Sequence, residues 1–395
     1  MRILIAHSFY RVPGGEDRYV TQQLGLLSGS HQVELLSARN EELTESIATA
    51  GRMIFSRSRI VEAEATIRRF RPDVVHVHNV YPALGPAVHL AAARLGVPLV
   101  MTVHNYRLRC PNGYMFTEGQ ICHRCEPGFY AHAVLHRCFP SKEQAGAYAM
   151  SLWTHRFLYR LENKVALFIA PSTFVGEQLR RWAIDGARVR VIRNFTDTPM
   201  ASSSAPGEFG VYAGRLSQEK GLDVLLRALK LAADPPFTVI GDGSEKSKLE
   251  HLAADLGLKR LQFVGRIPAR EVRPILDRAR FVVFPSLWHE NAPLAALEAM
   301  AAGRPLLVTS RGGLPELAEG GRGLVCSPGD VEDLAGRVRL LMDDDGLCRR
   351  AGQAALAFAR DELGPVSHKS QLEDAYETVG APAGPPVRAE GGERS

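Results

Sequence analysis

The chain has 395 residues, of which 45% are hydrophobic and 23% charged, a composition typical of globular proteins and a length that suits two domains. No apolar run reaches the roughly 18 residues that a membrane-spanning helix needs, and the N-terminal apolar run is too short for a signal peptide, so we expect a cytoplasmic protein. Residues 1–197 hold 24 Lys and Arg against 16 Asp and Glu, whereas the remainder holds 24 against 27. The basic half favours an anionic partner, but no basic run is interleaved with aromatic residues as in nucleic-acid-binding proteins.

Strand-length apolar runs alternate with helix-length amphipathic stretches through the first half. The runs are rich in Val, Ile and Leu on both faces, which is typical of strands covered by helices on both sides. The predicted strands lie at residues 2–7, 32–37, 73–79, 98–105, 167–172 and 188–194.

A segment rich in Ser, Pro, Ala and Gly, residues 198–210, predicts a linker, after which the alternation restarts. The later predicted strands lie at residues 210–217, 237–243, 261–267, 281–286, 305–310 and 323–328. This pattern predicts two doubly wound, Rossmann-like α/β domains, residues 1–197 and 208–365, with a ligand in the cleft between them. Residues 380–395 are charged and rich in Pro and Gly, which predicts a disordered tail.

Polar and glycine residues follow two strands of the first domain, where ligands of such folds bind. Gly14 and Gly15 precede a predicted helix, and a turn of this kind allows an anion to approach the backbone; a plain turn is the alternative. His104 follows the fourth strand, which makes it a candidate for the reacting centre, although a strand-end histidine is often structural. For His76 and His78, inside a predicted strand, we favour the structural interpretation.

Two cations follow the first strand of the second domain. Arg215 and Lys220 lie just before a predicted helix, where cations are unfavourable unless an anion is bound. Together they would neutralise a pyrophosphate, with a surface pair as the alternative. Gly241 follows the next strand and would let a flat ligand pass close to the backbone.

The segment "HENAPLAALEAM", residues 289–300, holds two acids on either side of a predicted helix start. Pro293 suits the first position of a helix, so Glu290 falls in the loop and Glu298 on the helix. The free N–H groups from Leu294 and Ala295 onward suit a phosphate. Carboxylates are compatible with an anion there if they bind hydroxyl groups, which is the pattern of a nucleotide sugar.

These motifs together resemble the retaining glycosyltransferases of family 4, which have the two-domain GT-B fold. The resemblance rests on "GRLSQEKG" (214–221), on the paired acids of "ENAPLAALE" (290–298), on "GGE" (14–16) and on "IRNF" (192–195), where Phe195 replaces the family's glycine. It extends to about residue 375. In this family the last helix usually crosses back to the first domain, so residues 367–379 are expected to pack there.

The resemblance implies a role for each matching residue. Arg215 and Lys220 would hold the donor diphosphate, and His104 would lie near the donor sugar. Glu290 would bind sugar hydroxyls, and Glu298 the ribose hydroxyls. The remaining contacts, all to phosphate, would come from the backbone of Leu294 and Ala295 and from the Gly14–Gly15 turn.

The reaction implied is transfer of a hexose-type sugar, with retention, from a nucleotide-diphosphate sugar to a hydroxyl acceptor, with no catalytic metal. A lipid-linked or growing saccharide of the cell surface is the expected acceptor, and a small-molecule acceptor is the alternative. A nucleotide-sugar epimerase of the same fold and a non-catalytic binding protein are competing interpretations. A nicotinamide-linked oxidoreductase is disfavoured because the G-x-G-x-x-G pattern is absent.

Four of the six cysteines cluster in an insertion at about residues 106–145, which follows His104. Cys110, Cys122, Cys125 and Cys138 have the spacing C-x11-C-x2-C-x12-C, which suits a structural zinc site. Unpaired buried thiols, or a redox or disulfide role, are the alternatives. Some members of the family carry a similar segment, so the insertion resembles the trait of a subgroup.

A stretch at residues 147–164 places Met150, Trp153, Phe157 and Leu161 at helical spacing, with basic residues along another stripe. An ordinary packed helix explains this pattern. The alternative is an interfacial helix against an anionic membrane surface, which fits the basic half and a lipid-linked acceptor.

Overall fold

The computed structural model of the protein describes residues 1–39, 47–201 and 205–380. The predicted linker at 198–210 therefore lies partly outside the described residues, and the predicted tail lies outside them beyond residue 380. Within these ranges, the chain forms two six-stranded parallel sheets and one short two-stranded hairpin.

The first sheet has the strand order β2-β1-β3-β4-β7-β8 and is parallel throughout. All six strands predicted for this half are confirmed; the four central strands are largely buried, whereas the edge strands β2 and β8 are only partly buried. The strands and the hairpin β5–β6 of the insertion span β1 Arg2–Phe9, β2 Gln32–Arg39, β3 Val74–Val77, β4 Leu99–Thr102, β5 Phe116–Thr117, β6 Gln120–Ile121, β7 Leu167–Ala170 and β8 Val189–Val191.

Helices cover both faces of this sheet, and the insertion contains the short helix α5 and the start of α6. They span α1 Gly15–Ser28, α2 Ile47–Ile54, α3 Arg57–Phe70, α4 Ala87–Leu95, α5 His132–Leu135, α6 Lys142–Trp153 and α7 Thr173–Arg181. A π-helical turn, Thr154–Leu158, extends α6. It closes with a hydrogen bond from the backbone N–H of Tyr159 to the carbonyl of Thr154, at 2.9 Å.

The second sheet has the order β11-β10-β9-β12-β13-β14 and is also parallel. The six strands predicted for this half are confirmed as well. They span β9 Phe209–Ala213, β10 Phe237–Ile240, β11 Leu261–Gly265, β12 Ala279–Phe284, β13 Leu306–Thr309 and β14 Gly323–Cys326. In each sheet the chain reverses its direction of winding beside the first strand, which places the ligand crevice at the carboxyl ends of β1 and β9.

The second domain has its own helices, and the last helix of the chain leaves it. The helices span α8 Leu222–Leu231, α9 Lys246–Asp255, α10 Ala269–Arg278, α11 Leu294–Ala301, α12 Leu314–Ala318, α13 Val331–Asp343, α14 Asp345–Glu362 and α15 Pro365–Gly380. The helix α15 packs on the first domain, where Tyr376 bonds His76 at 2.7 Å and His368 bonds Tyr19 at 2.9 Å. Of the helices in the described ranges, none is both long and apolar enough to cross a bilayer.

Candidate active site

The loops at the carboxyl ends of the two sheets touch each other and form a cleft. The Asn291 side chain donates to the carbonyl of His104 at 2.5 Å, and the Tyr106 hydroxyl donates to the carbonyl of His289 at 3.0 Å. The loop after β4 is thus joined to the loop after β12. The predicted site residues of the two domains face one cleft.

His104 lies at the cleft end of a stack of histidines whose other members, His76 and His78, are buried. Its Nε2 lies 3.0 Å from Nδ1 of His78, and the His78 ring lies 4.3 Å from that of His76 and 5.2 Å from that of His104. Burial lowers the pKa of His104 to about 3. The imidazole is therefore neutral at physiological pH and acts there as a hydrogen-bonding group rather than a cation.

A cavity of about 50 Å³ lies beside His104 in the first domain, and Arg107 and Tyr81 are among its lining residues. The Arg107 guanidinium stands 5.7 Å from the ring centre of Tyr81 and 5.2 Å from that of Tyr148 on α6. Its Nη1 donates to the carbonyl of Pro111 at 2.9 Å. A cation stacked on aromatic rings therefore forms part of the wall beside His104.

Lys220 and Glu290 form an ion pair across the mouth of the second sheet. Lys220 follows β9 on a single 3₁₀ turn, and its Nζ lies 2.6 Å from Oε1 of Glu290. The Ser286 hydroxyl donates to the same oxygen at 2.7 Å. Burial alone would raise the pKa of Glu290, but the charge and hydrogen bond of Lys220, together with the hydrogen bond from Ser286, lower that pKa, so Glu290 is ionised.

Arg215 is the more accessible of the two cations that the sequence singled out. Its side chain is 53% exposed, and its Nη2 lies 3.2 Å from Oε1 of Glu219. Its Nη1 donates to the hydroxyl of Tyr114 at 3.2 Å, with the guanidinium 5.6 Å from the Tyr114 ring centre. Tyr114 belongs to the insertion, so the insertion reaches the cation side of the cleft.

The helix α11 begins where the proline predicts. Pro293 is its N-cap and Leu294 its first residue, so the backbone N–H groups of Leu294 and Ala295 have no intrahelical partner. Glu298 is one turn further along and pairs with Arg18 of α1, in the other domain. Burial raises the pKa of Glu298, and Arg18 opposes that rise.

Comparisons with known proteins identify the two domains. Residues 13–199 match the family model "Glycosyltransferase Family 4", and residues 203–358 match "Glycosyl transferases group 1". Together the two matches cover every strand of the two sheets except β1, and the loops between the domains. This chain is a GT-B glycosyltransferase.

Relatives and solved structures agree with that assignment. A glycogen synthase of Mycobacterium tuberculosis is 29% identical over 85% of this chain and 76% of its own length. A 2-deoxystreptamine glucosyltransferase of Streptomyces kanamyceticus is 28% identical over 79% of each chain. The crystal structure of Anabaena Alr3699/HepE in complex with UDP has a TM-score of 0.69 and 19% identity, covering 96% of this chain and all of the other. At that identity, the structural match establishes the fold.

The glycines of this glycosyltransferase that the sequence singled out have different surroundings. A Cβ added at Gly14 or Gly15 would meet no atom within 4 Å, so the turn before α1 is open. Gly241 has a φ of +137°, and a Cβ there would lie 1.8 Å from the carbonyl oxygen of Gly214. The close backbone approach expected at Gly241 is therefore already made by the protein itself.

The four clustered cysteines surround one small cavity of about 10 Å³, which His132 and His136 also line. All four are free thiols, and burial raises the pKa of Cys110 to about 11 and that of Cys125 to about 12. The Cys110 thiol donates to Oδ1 of Asn112 at 2.9 Å. No three His, Cys, Asp or Glu side chains in the described part of the chain are arranged to hold a metal ion. The thiols are grouped as the spacing predicts, but the zinc remains a prediction from sequence alone.

Sequence analysis missed several residues of the glycosyltransferase cleft, among them Arg18, Tyr114, Asn291 and Glu316. The Glu316 carboxylate accepts from the backbone N–H groups of Thr173 and Phe174, at 2.9 and 2.7 Å, and so caps α7 from the other domain. Asn291 lies between the two acids of the motif, so its position in the sequence could have identified it as a site residue. The others are contacts between domains, and periodicity in sequence carries no information about domain docking.

Proposed function

We propose that this protein is a retaining glycosyltransferase that moves a hexose-type sugar from a nucleotide-diphosphate sugar to a hydroxyl acceptor. The observation that carries the proposal is the Lys220–Glu290 ion pair beside the open N-terminus of α11, in a loop whose Asn291 donates to the carbonyl of His104. Fixed positive charge next to a fixed carboxylate and a neutral imidazole suits a ligand that carries both a diphosphate and hydroxyl groups.

The cations have complementary roles in donor binding. Arg215 is exposed enough to grip diphosphate oxygens and would exchange its contact with Glu219 for them. Lys220 would add a point charge, while the N–H groups of Leu294 and Ala295 would bind a phosphate oxygen. As the bond to the sugar breaks, negative charge accumulates on the leaving diphosphate, and groups already in place stabilise it. The proposal assigns no step to a metal.

The carboxylates would hold the two sugars of the donor. Glu290, ionised and held by Ser286 and Lys220, is proposed to accept hydrogen bonds from hydroxyls of the transferred sugar. Glu298 is proposed to accept hydrogen bonds from the ribose hydroxyls. Its ion pair with Arg18 would then have to break, or its carboxylate would have to bind both groups. Gly14 and Gly15 would bring the open turn before α1 close to the phosphate. Gly241 would line the donor side, with the Gly214 backbone between it and the ligand.

His104 would contact the sugar at the reacting centre. Because it is neutral, its imidazole can accept from or donate to a sugar hydroxyl without opposing the positive charge that develops on the sugar ring. Departure of the diphosphate and attack by the acceptor on the same face would give retention.

A saccharide, free or lipid-linked, is the proposed acceptor. The name of the glycogen synthase relative supports a saccharide, and the basic first domain supports an anionic, lipid-linked one. A small-molecule acceptor is the second candidate, because the 2-deoxystreptamine glucosyltransferase is similar over the same share of both chains. An epimerase of the same fold is disfavoured by the long insertion after His104, which would supply acceptor contacts that an epimerase does not need, and by the "GRLSQEKG" motif.

The test is a panel of nucleotide-diphosphate sugars with saccharide and small-molecule acceptors. We expect one donor to raise the melting temperature and to be consumed, slowly by hydrolysis and faster with the right acceptor. The anomeric configuration of the product, read by NMR, should match that of the donor. Inversion would refute retention, and interconversion of donor sugars without transfer would establish the epimerase instead. If no donor or nucleotide diphosphate shifts the melting temperature, the proposal fails.

A further inference from the structure

The outer face of α6 and the π-helical turn after it exposes five large apolar side chains. They are Phe129 of the neighbouring loop and Met150, Trp153, Phe157 and Leu158 of the helix, and they are 43–63% exposed. We call these five residues the outer patch. Soluble surfaces carry scattered exposed apolar residues, so what matters is whether these five are contiguous.

Contacts within the outer patch show that it is continuous. The rings of Trp153 and Phe157 have centres 5.9 Å apart, and Cζ of Phe157 lies 2.7 Å from the Cβ position at Gly128, next to Phe129. Met150 precedes Trp153 by three residues on α6, so the two share a face. The π-helical hydrogen bond from Tyr159 to Thr154 widens the turn. A widened turn brings Leu158, five residues after Trp153, towards the same side.

Basic residues outnumber acids in the segment that carries the outer patch. Segment 127–160 contains Arg137, Lys142, Arg156 and Arg160 against one acid, Glu143. The Arg156 guanidinium stands 5.0 Å from the Phe157 ring centre and donates to the Glu126 carbonyl and the Tyr130 hydroxyl, at 2.9 and 3.0 Å, and it forms no ion pair with a carboxylate of the described residues. Arg137, Lys142 and Arg160 are all exposed.

The other side of α6 faces the cleft. Tyr148 stacks on Phe139 with ring centres 4.7 Å apart and stands against Arg107, in the wall beside His104. One helix thus has an apolar outer face within a basic segment and an inner face at the side of the cleft that is proposed to receive the acceptor. A surface that docked through the outer patch would lie next to the entrance to the cleft.

We propose that the outer patch docks this protein on an anionic lipid surface. Trp, Phe, Leu and Met would enter the boundary between headgroups and acyl chains, and the Arg and Lys of the same segment would pair with anionic headgroups. The excess of basic residues in this segment, with Arg156 directly against Phe157, favours an anionic lipid surface over an uncharged protein surface. The inference goes beyond the proposed transfer and is measured without donor or acceptor.

The experiment uses the full chain, sedimented with vesicles of phosphatidylcholine alone or with phosphatidylglycerol added. We expect binding only when the anionic lipid is present, and weaker binding at high ionic strength. Trp153 provides a site-specific signal, because it is 48% exposed whereas the other two tryptophans, Trp182 and Trp288, are 7% and 8% exposed. Its fluorescence should shift to the blue on binding and be quenched by brominated lipid.

Two sets of variants separate the apolar and the electrostatic contributions. Met150→Ser with Phe157→Ser should weaken binding by about tenfold or more and keep the Trp153 reporter. Leu340→Ser, on the second domain and 43% exposed like Phe157, is the matched control and should change nothing. Arg137→Gln, Lys142→Gln and Arg160→Gln should each weaken binding to anionic vesicles, by up to about fivefold at low salt. Arg227→Gln, an exposed arginine of the second domain, is their control.

Several outcomes would overturn the proposal. The proposal would be refuted if vesicle binding did not depend on anionic lipid, or if the tryptophan spectrum did not change on bound vesicles. It would also be refuted if the control variants lost as much vesicle binding as the outer-patch variants. Dimerisation in ultracentrifugation that is abolished by Met150→Ser with Phe157→Ser would overturn it too, since the outer patch would then be an interface between two copies. Unchanged melting curves must show that the variants are folded. Donor consumption in solution, measured separately, tests the proposed function alone.

Discussion

Arg18 of the first domain forms an ion pair with Glu298 of the second, directly across the cleft. Glu298 is largely buried and is the acid proposed to bind ribose, so its carboxylate is occupied by a protein cation when no nucleotide is present. Nucleotide binding would therefore exchange one set of hydrogen bonds for another rather than fill an empty site. The contact also links ligand binding to the relative position of the two domains.

Glu298→Ala should weaken binding of a nucleotide diphosphate by about 10- to 100-fold, because it removes a charged hydrogen-bond acceptor from a buried site. Titration calorimetry with UDP and related diphosphates measures this directly. Asp197→Ala, which removes the other carboxylate near Arg18, at 3.9 Å and 57% exposed, is the control and should have little effect. Equal losses in the two variants would mean that Glu298 acts only through Arg18.

Glu290→Gln should lower kcat strongly while leaving the affinity for nucleotide diphosphate nearly unchanged. The amide keeps the shape of the side chain and can still accept from Ser286, but it loses the charge that pairs with Lys220. Steady-state kinetics and diphosphate titration on one preparation separate the two effects. A loss of diphosphate affinity as large as that of Glu298→Ala would contradict the separate roles given to the two acids.

Lys220→Met should reduce the free energy of unfolding by about 3–5 kcal/mol, because it leaves the buried Glu290 carboxylate without its cation. The side chains of Lys220 and Glu290 are only 14% and 6% exposed, so water does little to compensate. Urea denaturation measures the change. The double variant Lys220→Met with Glu290→Leu should regain most of the stability but no transferase activity. If it stays as unstable as the single variant, lost packing rather than lost charge is the cause.

The positions of all twelve strands of the two large sheets were predictable from sequence because buried parallel strands are continuous apolar runs. Pro293 likewise indicated the start of α11, since a proline is favoured at the beginning of a helix and costs a hydrogen bond in its interior. The Arg18–Glu298 and Arg215–Tyr114 contacts were not predictable. Each joins residues about a hundred or more positions apart, brought together only when the domains dock or the insertion folds over the cleft.

The melting temperature should fall as the pH drops below about 6.5, because several histidines are buried in the neutral form. Burial lowers the pKa of His76, His89 and His104 to about 3. In the unfolded chain they bind protons from about pH 6.5 downward, so between that pH and about 3 protonation favours unfolding. His89→Gln should make the decline shallower, whereas His251→Gln, at the surface of α9, should not. A melting temperature that rises on acidification would contradict this.

About one zinc ion per chain is the expectation from the spacing of the four cysteines. Elemental analysis of purified protein tests it, together with thiol titration after denaturation. Because ligand thiols must deprotonate and the pKa values of Cys110 and Cys125 are raised by burial, loading should improve with increasing pH. Cys125→Ser should lower both the zinc content and the melting temperature, whereas Cys326→Ser, outside the cluster, should keep the zinc. An absence of metal, with all six thiols of the denatured chain titratable, would refute the prediction and favour the alternative of unpaired buried thiols.

Gly14→Ala should weaken diphosphate binding without changing stability, whereas Gly241→Ala should mainly reduce stability. At Gly241 an alanine would collide with the Gly214 carbonyl and adopt a φ of +137°, so the variant should be severely destabilised, with a loss of several kcal/mol or failure to fold. At Gly14 the added methyl meets no protein atom, so the melting temperature should hardly change. Binding of the donor diphosphate should weaken there, because the methyl group occupies the space through which the phosphate would approach. Thermal unfolding with and without UDP separates the two effects.

Gly25→Ala is the control, because Gly25 lies inside α1 and also has no neighbour within 4 Å of its Cβ position. This variant should stabilise the helix slightly and leave UDP binding unchanged. If Gly14→Ala binds UDP as tightly as the wild type does, the turn before α1 is a plain turn and the phosphate is held by the second domain alone.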